Sequence, residues 1–352
     1  MIDELINIEL VYICPALRTK FMYNSSPNYA VGIDIGGTNT EFGIVNHRGE
    51  ILKKGRIKTN TYSSIEPYLD ELYDNLMPII DEWQKAGEVI GIGVGAPNGN
   101  YYTGLIEYAP NLRWNGVIPL AKLLTEKFGL PCILTNDANA AAVGEMTYGA
   151  AKGFKDFIMI TLGTGMGSGI VCNGQMVYGH DGYAGELGHT IIRRGGRKHW
   201  KTDLKGSLES YCSATGIVIT ARELLQQSNE ESLMRQHDLD KINSRFVYEC
   251  AVKGDAIAGE VYRFTGQILG EALANFVMFS SPEAIVLFGG VIKAGDLFLE
   301  ATREHMEINV LPQYKNKVKI ILSELNEADA AILGASTLVW NFSHEKHVDI
   351  MG

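Results

Sequence analysis

Basic charge is what this 352-residue chain has too little of: 31 Lys and Arg stand against 41 Asp and Glu, a formal net charge of −10. A nucleic-acid-binding surface normally shows a basic face, so this balance argues against one. Anionic substrates would need local attraction instead, from loop amides and a metal ion. Cysteine is also sparse. The five, at 14, 132, 172, 212 and 250, are scattered, odd in number and without Cys-x-x-Cys spacing, which fits a reducing cytoplasm and excludes a disulfide framework. No apolar run approaches the ~20 residues needed to span a bilayer; even Ile268 to Phe279 contains Glu271. The chain therefore reads as a soluble protein whose 46% hydrophobic content can bury a substantial core, divided between two domains. Low-complexity linkers are missing too, which places the division at a hinge inside a compact body.

Glycine, by contrast, is present in two matching places. Val31 to Val45 reads as an apolar run, the turn Gly36-Gly37-Thr38-Asn39, and a second apolar run, hence strand, tight turn, strand. Phe157 to Val171 repeats the unit without a gap: Gly37, Thr38, Gly43, Ile44 and Val45 align with Gly163, Thr164, Gly169, Ile170 and Val171. Adjacent glycines let a backbone approach an anion closely, because no Cβ intrudes and several N–H groups can point one way. Asp34, at the strand end, is placed to face a cation. Two related halves, each presenting a phosphate-binding hairpin to a shared cleft, account for the repeat, and two ordinary β-hairpins account for the glycines. A dinucleotide-binding turn would open a helix, and a P-loop would need a Lys after its glycines; neither holds at Gly163, Gly165 or Gly167.

Hydrophobic spacing predicts further strands at Glu50–Lys58, Val89–Val94, Cys132–Thr135, Glu283–Phe288 and Val318–Leu322. Helices are expected at Ser63–Ala86, Pro119–Phe128 and Asp137–Met146, at about 213–227, 243–253, 255–280 and 295–309, and at Ala328–Trp340, the last packing back on the first domain. Pro78 should kink or reset the first of these, and residues 100–117 read as a polar-aromatic loop. The order indicates mixed α/β sheets. At Thr135-Asn136-Asp137 an Asp stands where a strand hands over to a helix; as a helix cap, Asp137 or Asn136 needs no function. Residues 1–28 lack the order of charges of a signal peptide and are expected to form a peripheral extension, with Met22 as the biological start.

These motifs together resemble a known family. Asp34-Ile-Gly-Gly-Thr-Asn39, Asn136-Asp137-Ala-Asn-Ala-Ala, Gly163-Thr-Gly-Met-Gly-Ser-Gly169, Glu186-Leu-Gly-His189, Leu208-Glu209 and Phe288-Gly-Gly290 stand in the order and spacing of the ROK family of repressors, open reading frames and sugar kinases, within the actin/hexokinase/Hsp70 superfamily. The resemblance implies an α/β fold of two ribonuclease-H-like (actin-like ATPase) domains, residues 29–137 with the C-terminal helix of about 326–352, and residues 138–325, with ATP and sugar in the cleft between them. It implies that Asp34 acts on Mg²⁺ through water. Gly36, Gly37, Thr38, Gly163, Thr164 and Gly165 would hold the ATP phosphates, and Gly289 and Gly290 would let the adenosine lie against the backbone. Asn111, Asn136, Asp137, Glu186, His189 and Glu209 would bind the sugar, and Asp137 would accept the proton of the attacking hydroxyl.

Many members of the family follow the His of Glu-x-Gly-His with three cysteines that bind a structural Zn²⁺. Those positions are Trp200, Thr202 and Ser207 here, so no zinc is expected, and the loop should be held by packing around Trp200 and by polar contacts. The activity implied is phosphorylation of a hexose at its 6-hydroxyl, glucose first. Kinases of N-acetylmannosamine, N-acetylglucosamine, fructose, mannose or allose carry the same motifs. A sugar-responsive transcriptional regulator and a sugar-binding protein without catalysis are the other classes; family repressors carry a longer N-terminal DNA-binding domain than 28 residues. A homodimer in the cytoplasm, binding neither nucleic acid nor membrane, is the expected assembly.

Overall fold

Along the first strand Val31, Ile33 and Ile35 point one way and are sealed from solvent, while Ala30, Gly32 and Asp34 alternate with them. The computed structural model describes residues 27–114 and 116–348; the expectation about Met22 lies outside them. In the first half, β1 (Asn28–Ile35), β2 (Asn39–Asn46), β3 (Ile51–Lys58), β4 (Glu88–Ala96) and β7 (Cys132–Asn136) form one sheet in the order β3-β2-β1-β4-β7. The hairpin pairs are antiparallel, and β1, β4 and β7 run parallel. Helices α1 (Ile65–Gln84) and α2 (Leu120–Phe128) cover one face, where Tyr68, Leu72, Leu76 and Leu124 meet the strand core.

The second half repeats this plan. After α3 (Asp137–Tyr148) come β8 (Phe157–Leu162), β9 (Met166–Cys172) and β10 (Gln175–Met176), then α4 (Glu209–Cys212), α5 (Ala214–Gln227), α6 (Ser244–Val252) and α7 (Ala256–Ser280). β11 (Ala284–Phe288), α8 (Asp296–Asn309), β12 (Lys319–Leu322) and α9 (Glu327–Val348) complete it. The strand order β10-β9-β8-β11-β12 reproduces that of the first sheet, with the same two antiparallel and two parallel pairings. The hairpin repeat is thus part of a repeat of whole sheets. Ile158, Ile160 and Leu162 face the core built with α5, α7 and α8, whereas Phe157 and Met159 face Ala141 and Ala142 of α3.

Small residues set how closely the halves come together. Gly43, Gly32 and Gly93 lie side by side across β2, β1 and β4, and α9 runs over them. A Cβ at Gly32 would overlap the Ile332 carbonyl, and one at Gly93 the Ala335 carbonyl. On its other side α9 presses Gly334 against Ala140 and Gly144 of α3. α3 in turn meets the second sheet through Ala138 and Ala142, opposite Gly167 and Gly169. No helix among the described residues is long and apolar enough to cross a membrane.

Two local expectations change. Pro78 lies inside α1, which runs on without a reset: the one backbone hydrogen bond that proline removes is outweighed by buried Leu76, Ile79 and Ile80 around it. Within residues 100–117 the chain forms a small hairpin, β5 (Ile106–Glu107) with β6 (Val117–Ile118), too short to show an alternating pattern.

Gly32→Ala must push α9 away from the sheet, and overpacking of this kind costs ~1–3 kcal/mol. Gly259, inside α7, has nothing within 4 Å of where a Cβ would go, so Gly259→Ala should gain up to ~1 kcal/mol of helix propensity. Urea unfolding midpoints should move in opposite directions for the two variants.

Candidate functional site

Three parallel strands end at the same edge of the first sheet. Register puts Asp34 beside Gly95, and Gly95 beside Thr135; Asp137 follows as the first residue of α3. Gly95 lies between them: a methyl there would crowd Cβ of Ala140 at 3.0 Å and come within contact of Cα of Asp137, at 3.6 Å, and Oδ1 of Asp34, at 3.8 Å. Two carboxylates therefore share one partly enclosed edge. Burial first, then the charges of Asp137 and Glu41, push the Asp34 carboxyl up to about 7. Desolvation also raises the carboxyl of Asp137, although the residue as a whole is exposed to solvent. Asn136 is the helix N-cap, its side chain accepting from the Ala138 N–H at 2.8 Å. Asp137 Oδ1 accepts from the same N–H at 2.8 Å, so capping engages one oxygen of this carboxylate.

The two glycine turns are each braced by the backbone. In the first, the Gly36 N–H donates to the Asn39 carbonyl at 3.0 Å and the Thr38 carbonyl accepts from Thr59 N–H at 2.9 Å. A methyl at Gly37 would lie 2.8 Å from the Asn111 carbonyl oxygen. In the second, the Gly163 carbonyl accepts from Ala214 N–H at 2.8 Å and the Thr164 carbonyl from Thr215 Oγ1 at 2.8 Å. Both acceptors are thereby satisfied by the start of α5. Gly163 has open space over its Cα, as has Gly290, while Gly289, at φ 102°, lies against the Leu162 carbonyl. Parallel pairing of β8 with β11 brings these last two glycines beside the second turn.

Polar side chains gather between the sheets. Asn136 and Glu186 line one cleft together with Asn98, Asn139, Ser168 and Tyr183. Glu186 and His189 flank a single 3-10 turn, with 3.9 Å between Oε2 and Nε2. Burial raises the Glu186 carboxyl, His189 opposes the shift, and Asp137 and Glu209 add to it. Glu209, the first residue of α4, accepts from Met166 N–H at 2.6 Å directly after the second glycine turn. Asn111 accepts from Lys201 Nζ, so contacts run from the first turn through Asn111 and Lys201 towards the second.

Asn139 and Ser168 were not singled out as site residues by sequence reasoning. Asn139 Oδ1 is buried without a partner among the described residues, as is His189 Nδ1, and unmet buried polar atoms are uncommon enough to point to a ligand. The available signal was spacing: Asn139 stands three residues after the N-cap Asn136, in the first turn of α3. The loop before Glu209 is held by polar contacts, as expected, with a smaller share from packing around Trp200. Trp200 is only half-buried, stacked on His199 with centroids 4.2 Å apart. Arg197 ties the loop down, donating to the Ser210 carbonyl at 2.6 Å and pairing with Glu223, and its guanidinium lies over the Tyr211 ring.

Comparison with known proteins matches residues 30–341 to the ROK family. A glucokinase of Halalkalibacterium halodurans is 37% identical over 89% of this chain and 96% of its own length. A xylose repressor of Caldicellulosiruptor bescii is 28% identical over 90% of this chain and 79% of its own. The crystal structure of a ROK family glucokinase from Streptomyces griseus, in complex with glucose and AMPPNP, superposes with a TM-score of 0.73 at 28% identity, covering 88% of this chain and 98% of that one.

The raised Asp34 carboxyl has a measurable consequence. Folded protein holds this proton up to about pH 7, whereas the unfolded chain releases it near the ordinary value of 3.8. The stabilisation it gives is therefore complete below pH ~4 and lost as pH rises to ~7. In metal-free buffer the melting temperature of Asp34→Asn should gain on that of the wild type steadily across this window. Parallel curves would show that Asp34 titrates normally.

Proposed function

The chain belongs to the ROK family, and on that premise we propose that it is an ATP-dependent sugar kinase that phosphorylates the 6-hydroxyl of a hexose, glucose foremost. The observation that carries the reading is the pair Asp34 and Asp137 on either side of Gly95. Similarity to glucokinases supports the choice of sugar. We place the division between the two units at residue 137, with α9 returning to the first. Free Cys132, Cys172, Cys212 and Cys250 support a cytoplasmic setting. Exposed Phe279, Ile308 and Leu311 on and just after α7 and α8 support a homodimer through that side.

Among the described residues no group of three or more His, Cys, Asp or Glu side chains could hold a metal ion. Structural zinc requires such a group, and here Trp200, Thr202 and Ser207 offer no thiolate, while Cys212 is buried with its Sγ 3.7 Å from the Thr265 carbonyl. Zinc does not fit this loop. Magnesium has a different requirement: it takes one or two carboxylates and completes its shell with water and substrate phosphate. Asp34, half-buried beside a second carboxylate and short of positive charge, fits that role through water, with the ion supplying charge neutralisation at the transferring phosphoryl group. For ATP, Gly36, Gly37 and Thr38 with Gly163, Thr164 and Gly165 would cradle the phosphates, and Gly289 and Gly290 would let the adenosine lie against the backbone, which is open at Gly290.

Asn111, Asn136, Glu186, His189 and Glu209 would hydrogen-bond the sugar hydroxyls. A site built this way also rejects analogues that leave its polar groups unpaired. Asp137 takes the proton from the attacking hydroxyl as its oxygen bonds to the γ-phosphorus and the bond to ADP breaks. Its raised carboxyl makes it a stronger base than an ordinary aspartate, and general-base help of this kind is worth ~10²–10⁴-fold.

A coupled ADP-release assay with Mg·ATP across glucose, mannose, fructose, allose, N-acetylglucosamine and N-acetylmannosamine tests the reading. Glucose should give the highest kcat/KM. A preference for an N-acetylhexosamine would overturn the sugar assignment, and no release with any sugar would overturn the kinase.

A further inference from the structure

Glu209 owes its position to a residue ten places before it in the chain. His199 Nε2 lies 2.5 Å from Glu209 Oε1, and the two side chains are 2% and 11% exposed. The other ring nitrogen of His199 accepts two backbone hydrogen bonds, from Lys201 N–H and Thr202 N–H, each at 3.1 Å. A nitrogen that accepts cannot carry the proton, so the imidazole is the Nε2–H tautomer and donates to the carboxylate. Trp200 stacks on the ring, and Arg197, tied to Ser210 and Glu223, fixes the segment leading into it.

The second oxygen of Glu209 is held independently by Met166 N–H, and a methyl on Gly165 would lie 2.7 Å from it. With both oxygens engaged from the protein side, the carboxylate is fixed against the second glycine turn and still has lone pairs to offer. The same short turn sends Lys201 to Asn111. The ring of His189 stands 5.6 Å from that of His199.

We propose that His199 is a positioning residue for sugar recognition: its Nε2–H holds Glu209 in the orientation that receives the hexose, without His199 touching sugar or phosphate. The inference rests on the reading of Glu209 as a sugar-binding residue. A hydrogen bond to a buried charge is worth enough to change affinity by ~10- to 100-fold, and its loss should appear in sugar binding and leave the nucleotide alone.

Two variants separate the donor from the bulk of the ring. His199→Asn keeps an acceptor at the place of Nδ1 and removes the donor; His199→Gln carries an amide N–H to the place of Nε2. Steady-state kinetics should show the Asn variant raising the KM for glucose by ~10- to 100-fold with the KM for ATP within about twofold, and the Gln variant recovering most of the loss. In a Glu209→Gln background the Asn change should add little, because the group it acts through is already altered. Equal effects of Asn and Gln on glucose, or a parallel rise in both KM values, would overturn the proposal while leaving the kinase reading intact. A wild type that phosphorylates no sugar would overturn both. Should the Asn variant not fold, ¹⁵N-histidine NMR of the wild type decides: the Nε2–H tautomer with a signal that shifts on glucose addition supports the role, and an Nδ1–H tautomer refutes it.

Discussion

Close approach of backbones through α3 is the constraint on which the rest of the molecule depends. Alanines at 138, 140, 141 and 142 and glycine at 144 give this helix no bulky side, so it can lie against α9 on one flank and the second sheet on another. Larger side chains would hold the halves apart by several ångströms. Because Asp137 opens this helix, the packing that joins the two sheets also aims the candidate base at the space between them. A bulky residue on α3 would disturb stability and chemistry together, which is why the motif reads as a run of alanines and not as an ordinary amphipathic stretch.

Charge is the second theme. The cleft collects Asp34, Asp137, Glu186 and Glu209 in a chain that is already net negative, and Asp34, Asp137 and Glu186 have carboxyls pushed upward, mainly by desolvation. Such an arrangement is unfavourable for an empty protein and becomes favourable when a ligand brings cations and hydroxyl donors. A magnesium-bound nucleotide and a polyhydroxylated sugar supply those. Glu209 stands apart among these acids in having both oxygens engaged by protein donors, which makes it the rigid member of the set.

Much of this was legible in the sequence because it depends on local patterns. Alternation marked β1 and β8, paired glycines marked the turns, and the matched hairpins indicated a duplication that the two sheets display in full. The Asn136-Asp137 junction could be placed at a strand-to-helix boundary from propensity alone. What escaped depends on tertiary context. Pro78 was expected to kink or reset α1, but there is no reset, because burial around it outweighs one missing hydrogen bond. Arg197 and His199 sit in a stretch with no regular period, so nothing local distinguishes them from solvated loop residues. Only the fold brings Arg197 to Glu223 and His199 to Glu209. Asn139 is intermediate: its spacing from Asn136 was visible, its buried unpaired oxygen was not.

The central claim is that the charge of Asp137 is needed for proton removal far more than for its share in holding the sugar. Calorimetric titration of glucose into Asp137→Asn, alongside turnover with Mg·ATP, tests it most directly. The account predicts a sugar Kd within a few-fold of wild type and turnover reduced at least ~100-fold. Near-normal turnover in that variant would contradict it.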